Sequence, residues 1–132
     1  VFAVYELLFF SGTLFHHSNI RLTVSIERAV NLVCVTPRMH GIHHSGIRDE
    51  TNSNYSVVFR WWDALHRTIR LNIPQKSIHT GVPAYSEEED NSVASVILLP
   101  FRKQREYWQT PDGEPSVSRR RRGPDARGRI QE

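Results

Sequence analysis

With 132 residues, the chain has room for one domain and is too short for two independent cores. At 39% hydrophobic and 23% charged residues it is too polar for a bundle made only of membrane spans, and too rich in aromatic and aliphatic groups to be disordered throughout. The net charge of +3 belongs to the tail: residues 1–101 carry eight Lys+Arg against nine Asp+Glu, and residues 102–132 carry nine against five, so the basic balance that would invite a nucleic-acid reading is not that of the domain itself.

Residues 1–15 (VFAVYELLFFSGTLF) hold one charge, Glu6, and their apolar side chains wrap all the way round a helix, the pattern of a helix buried in protein or in lipid. Fifteen residues rise roughly 22 Å, short of the ~20 residues a bilayer core requires, so the segment reads as a core helix or as the cytosolic end of a span that begins upstream. It has no basic leader, unlike a signal peptide, and the chain reads as a piece of something longer. Residues 24–35 have near-helical apolar spacing, with Arg21, Glu27 and Arg28 placed to stay solvated. Thr36-Pro37 is a helix start, since Thr caps well and Pro suits the first helical position; Gly46 is the stop. Residues 48–56 (RDETNSNYS) are turn-rich, and residues 57–71, with Phe59, Trp61 and Trp62, predict a further helix. Pro74, Gly81 and Pro83 break the next stretch, residues 87–90 are acidic, and residues 93–99 form a last apolar segment ending at Pro100. The tail from residue 102 onward, with its run Arg119 to Arg122, reads as a disordered, solvated extension; contact with nucleic acid or anionic lipid is the sharper use of such a run.

Five of the seven histidines, His16, His17, His40, His43 and His44, fall in one 29-residue window. In HGIHH, His40, His43 and His44 stand at i, i+3 and i+4, which puts three imidazoles on one helix face. Clustered imidazoles at ligand spacing point to a metal, with Fe, Zn, Cu and Ni all chemically suited. The single cysteine, Cys34, excludes a disulfide framework and a cysteine-based zinc site. An all-histidine set without thiolate suits iron in contact with O2, because thiolates oxidise. A zinc hydrolase recruits a Glu base, as in HExxH; that motif is absent, and Asp49, Glu50 and Asp63 lie outside the repeat. His66 and His79 stand alone and read as surface or packing residues.

FHHSNIRL (15–22), VTPRMHGIHHS (35–45), ETNSNYS (50–56) and WWDAL (61–65), in this order, resemble the C-terminal half of the fatty acid hydroxylase and sterol desaturase superfamily, with residues 1–70 matching best and LLPFR (98–102) resembling the end of that domain. The resemblance implies an all-α fold, the C-terminal part of a membrane-embedded helical di-iron oxygenase over residues 1–101, followed by the disordered basic tail, residues 102–132. It implies an oxidoreductase that uses O2 to hydroxylate or desaturate a fatty acyl or sterol C–H bond, with lipid and membrane as partners. His40, His43 and His44 match the last histidine box and His17 the middle one; His16 has no clear counterpart and stands as a further candidate. Asn54 and Asp63 are candidates to orient the ligand imidazoles by accepting their N–H bonds. The earlier boxes are absent, so the remaining iron ligands are expected upstream of Val1, from an N-terminal half without which this piece is expected to be inactive. Arg21, Arg28, Arg38 and Arg48 put the cluster on the cytoplasmic side by the positive-inside tendency, a solvated helical face explaining them equally. The rival readings are a non-catalytic remnant with a partial metal site and a zinc-dependent hydrolase. Two departures from the family pattern bear on the backbone: Ser56 and Arg67 stand where the family usually has Gly, a residue with angles that other residues reach only at a cost.

Overall fold

The computed structural model of the chain describes residues 1–110 and residue 116. Among these residues six α-helices run in order: α1 (Phe2–His16), α2 (Val24–Val30), α3 (Pro37–His43), α4 (Arg48–Thr51), α5 (Trp61–His66) and α6 (Val93–Leu98), with three 3-10 turns between α5 and α6 and one after α6. Among the described residues there is no strand, only the isolated bridges Cys34 with Phe59 and Ser45 with Thr80, so the expected all-α character is present.

The organising element is α3. Thr36 caps it, its hydroxyl accepting from the Met39 N–H at 3.3 Å, and Pro37 occupies the first turn, as the Thr-Pro pair predicts. α1 and α4 pack on it, and so does the turn Gln75–Ser77. The small core is Val35, Met39 and Leu71 with Val24 and Ile69 against it, and Ile42 is also fully buried. Polar groups complete what so few apolar side chains cannot. Asn31 is buried, donates to the Cys34 carbonyl and to Met39 Sδ, and accepts from Arg60 Nη1 at 2.9 Å.

Glu27 and Arg38, expected in solvent, are buried. Arg38 Nη1 lies 3.5 Å from Glu27 Oε2, both side chains are 4% exposed, and the guanidinium also donates to the Ile73 and Leu71 carbonyls. Thr36 Oγ1 donates to Glu27 Oε1, so the pair clasps α2 to the first turn of α3. A helical-wheel reading misses this because a charge is admitted to the interior only by a partner distant in sequence.

Two predicted helices are shorter than expected. The second ends at Val30, after which residues 31–34 turn into the bridge with Phe59; the Val35 N–H donates to the Val58 carbonyl and the Arg60 N–H to the Val33 carbonyl. That pairing also takes residues 57–59 out of the helix expected over 57–71, leaving only Trp61–His66. Trp61 and Trp62 are exposed, so they are not core. α1 is apolar on all sides, yet Phe2, Val4, Tyr5, Leu7, Leu8, Phe10 and Leu14 are exposed and His16 is its one buried residue; the core-helix expectation is set aside. No helix among the described residues is long and apolar enough to cross a membrane.

The expected disorder from residue 102 does not hold for its first part. Arg105 donates to the Ala84 carbonyl at 2.7 Å, pairs with Asp90 at 2.8 Å and lies over the Tyr85 ring, returning residues 102–110 to the 83–90 segment. The Arg119 to Arg122 run lies outside the described residues.

Candidate metal centre

The last turn of α1 and the length of α3 face each other, and this crossing assembles the histidines. His16 and His17 close α1; His40 and His43 lie on α3 and His44 is its C-cap. The ring centroids of His16 and His40 are 3.9 Å apart, those of His17 and His40 4.4 Å, and those of His40 and His44 4.5 Å. His16, 3% exposed, and His40 form a buried floor, while His17 and His44 form an exposed rim. The rim opens into a cavity of about 440 Å³, bounded on its far side by Ser18, Asn19, Gln75 and Thr80. Gly81 closes the loop over the C-terminus of α3 with φ +128°, donating its N–H to the His44 carbonyl; that backbone angle strains any residue with a Cβ.

Three imidazoles are oriented by backbone carbonyls. His16 Nδ1 donates to the Val57 carbonyl at 2.9 Å, His17 Nδ1 to Thr13 at 2.9 Å and His43 Nδ1 to Ser53 at 2.8 Å. A carbonyl oxygen only accepts, so in each ring the hydrogen sits on Nδ1 and the lone pair on Nε2. This is the orientation a metal-ligating imidazole takes from its outer partners.

Two neighbouring rings approach His40 at Nε2. His40 Nε2 lies 3.1 Å from His17 Nε2 and 2.9 Å from His44 Nε2. His17 Nε2 has no hydrogen to offer, so neutral rings bring one hydrogen at most to the two contacts around His40 Nε2. A proton would resolve the conflict, but burial, followed by the repulsion of the neighbouring imidazoles, pushes His40 down to about 3. Burial first and His17 second push His16 to about 4, against the opposing bond to Val57, and burial followed by His43 and His17 lowers His44 as well. A cation held between His40 Nε2 and a neighbouring imidazole nitrogen would use the lone pairs that no hydrogen serves. Nitrogens at about 2.1 Å from a metal and at right angles to one another stand about 3.0 Å apart, close to the separation of His40 Nε2 from each of its two neighbours. Buried His40 Nδ1 has no hydrogen-bond partner, so the ring lacks a competing anchor on that side. The residues therefore fit a metal, and His16, His17 and His40 form the group of closely spaced donor atoms.

Of the sequence candidates, His17 and His44 each bring Nε2 to His40 Nε2, and His16, without a counterpart in the box pattern, joins His17 and His40 in the group of closely spaced donors, which His44 borders. His43 stands further out, 5.8 Å from His40 and 5.4 Å from His44 between ring centroids, with its ring edge-on to Tyr55. Asn54 and Asp63 do not orient imidazoles directly. Asn54 Nδ2 donates to the Met39 and Arg70 carbonyls and its Oδ1 accepts from the Arg70 N–H. Asp63 accepts from the Tyr55 and Ser56 N–H groups and from Thr68 Oγ1; burial works to raise its carboxyl, and these bonds outweigh it and hold it below the ordinary value. The outer partners of the histidines are main-chain atoms of residues 13, 53 and 57, for which no side chain gives a sequence signal. His66 donates to the Trp62 carbonyl within its own helix and His79 is exposed; neither belongs to the group of closely spaced metal donors.

On the other side of Val57 is a second, apolar cavity of about 550 Å³, between Tyr5, Leu8 and Phe9 of α1 and Val58, Phe59 and Trp62. Residues 1–68 match the fatty acid hydroxylase family. No curated protein and no solved structure matches the chain.

Proposed function

The chain belongs to the fatty acid hydroxylase family, and from that premise we propose that it is the histidine-bearing C-terminal part of a membrane-associated, iron-dependent enzyme that hydroxylates or desaturates a lipid C–H bond. The observation that carries the reading is the meeting of imidazoles from two separate helices, with His17 and His44 Nε2 at 3.1 and 2.9 Å from His40 Nε2 and His16, His17 and His40 forming a group of closely spaced donors. His16, His17, His40 and His44 would hold the metal, with His43 next to them; iron there would supply the activation of O2 that a C–H bond requires. Four or five imidazoles fall short of the needs of two irons, so a di-iron centre takes further donors from outside the described residues.

The protein's own part is positioning. The Val57, Thr13 and Ser53 carbonyls keep three rings in the ligating tautomer and so spare the centre any rearrangement on loading. The apolar cavity shares Val57 with that centre and is suited to an acyl or sterol chain, which it would hold in register with the metal and away from water. The exposed apolar residues of α1 and the indoles of Trp61 and Trp62 would face lipid, with the histidines at the cytoplasmic surface. A hydrolase is disfavoured because the buried carboxylates are engaged, Glu27 with Arg38 and Thr36, Glu50 with Ser45, and Asp63 with residues 55, 56 and 68, and Asp49 is exposed outside the histidine repeat.

The test is iron loading of the full chain in detergent, with metal quantified after gel filtration. The wild type and His66→Ala are expected to retain iron, and His40→Ala to lose it. Equal retention by His40→Ala, or a strict preference for zinc with ester or amide hydrolysis, would overturn the reading.

A further inference from the structure

One wall of the histidine centre is a five-residue segment, residues 53–57, that belongs to no helix. Its two ends do the orienting: the Ser53 carbonyl takes the hydrogen of His43 Nδ1 and the Val57 carbonyl that of His16 Nδ1. Its middle residue, Tyr55, lies edge-on against His43 with ring centroids 5.4 Å apart. A segment without its own ladder of hydrogen bonds must be held from outside.

Asp63 holds it. The carboxylate is 1% exposed. Oδ1 accepts from the Tyr55 N–H at 2.8 Å and from Thr68 Oγ1 at 2.5 Å, and Oδ2 from the Ser56 N–H at 2.9 Å. In return the Asp63 N–H donates to Ser56 Oγ at 3.1 Å. Both oxygens are therefore committed to the backbone that lies between the two orienting carbonyls. Asn54 braces the same stretch from the other side. At φ +54° its side chain reaches the Met39 carbonyl on α3 and the main chain of Arg70.

We propose that Asp63 is a positioning residue for the metal centre: by clamping residues 55 and 56 it aims the Ser53 and Val57 carbonyls, and through them it sets the Nδ1–H tautomers of His43 and His16 and leaves their Nε2 lone pairs for the metal. This rests on the metal-binding reading above only in the use made of the lone pairs. The tautomers are a property of the metal-free chain.

The arrangement contains its own control. His17 takes its tautomer from Thr13 within α1, with no help from residues 53–57. In Asp63→Asn one acceptor oxygen becomes an NH2 group, which cannot accept from a backbone N–H. Thr68→Val removes one donor to the carboxylate and keeps the charge, so it is the milder variant should Asp63→Asn fail to fold.

The experiment is long-range nitrogen–proton correlation NMR of labelled histidines in the full, metal-free chain, with Co2+ titration of the same samples. The wild type should show His16, His17 and His43 as Nδ1–H. In Asp63→Asn, His16 and His43 should move toward Nε2–H while His17 stays, and Co2+ affinity should fall about 10- to 100-fold, the usual cost of losing an outer partner; Thr68→Val should move the same two rings less far. Unmoved His16 and His43 in a folded variant would overturn the proposal. So would the movement of all three rings together in every variant, the sign of a general loss of fold. A wild type that binds no Co2+ and no iron defeats the metal reading, and the tautomers still decide the role of Asp63.

Discussion

Replacing Glu27 by Gln tests whether the buried ion pair holds the histidine helix in place. Gln keeps the volume and an oxygen that can accept from Thr36 Oγ1, now 3.1 Å from Glu27 Oε1, so the substitution isolates the charge. Arg38 then stays 4% exposed without the Glu27 carboxylate. Stripping one partner from a buried pair costs roughly 3–5 kcal/mol. The lower end, about 3 kcal/mol, is appropriate here because the pair is 3.5 Å apart and Arg38 keeps its bonds to the Ile73 and Leu71 carbonyls. That is a factor of about 150 in the folding constant. With a urea slope of about 1.5 kcal/mol/M, the midpoint should fall by about 2 M, read by tryptophan fluorescence in detergent. Adding Arg38→Met removes the buried charge and should recover most of the loss, because a buried pair is often worth no more than an apolar replacement. A loss below about 0.5 kcal/mol, the size of an ordinary surface substitution, would refute the reasoning, as would a double variant no more stable than the single one.

Acid should weaken the metal-free fold from the histidine range downward. His16 and His40 fall from 6.5 in the unfolded chain to about 4 and about 3 in the folded one, so below pH 6.5 the unfolded state binds more protons and stability drops as the pH falls. Each ring contributes up to about 1.4 kcal/mol per pH unit, His16 until about pH 4 and His40 until about pH 3. Asp63, lowered in the fold, adds stability that is present above the ordinary carboxylate value and lost as the pH falls through its folded value. A flat urea midpoint between pH 7 and 5 would contradict this account. Arg67→Gly should stabilise the protein by about 0.5–1 kcal/mol, since Arg67 sits at φ +59° and ψ +34° at the end of α5, a left-handed conformation that costs a residue with a Cβ about 1–2 kcal/mol; a lower thermal midpoint would count against it.

The motif-bearing parts of the chain were legible because they are local. Thr36-Pro37 starts a helix wherever it sits, as cap and first-turn chemistry need no distant partner, and HGIHH places its rings by helical geometry alone. The same locality misled at residues 57–71, whose aromatic spacing suits a helix. There the backbone groups of Val33, Val35, Val58 and Arg60 bond to one another instead, a pairing that depends on α2 ending at Val30.

What the sequence determines by itself is the ligand chemistry: five imidazoles, no competing thiolate at the motif, and a family pattern over the first half of the chain. What only the tertiary structure decides is which imidazoles meet, and the tautomers of His16 and His43. His16 joins the centre because α1 crosses α3 at its last turn, and its hydrogen sits on Nδ1 because the Val57 carbonyl is there to take it. Glu27 and Arg38 lie in the interior because each finds the other across 11 residues. The physical reason is the same in each case. Metal ligands are aligned, and buried charges tolerated, by groups that come near only when the chain closes on itself, and a main-chain carbonyl carries no letter in the sequence that announces where it will point.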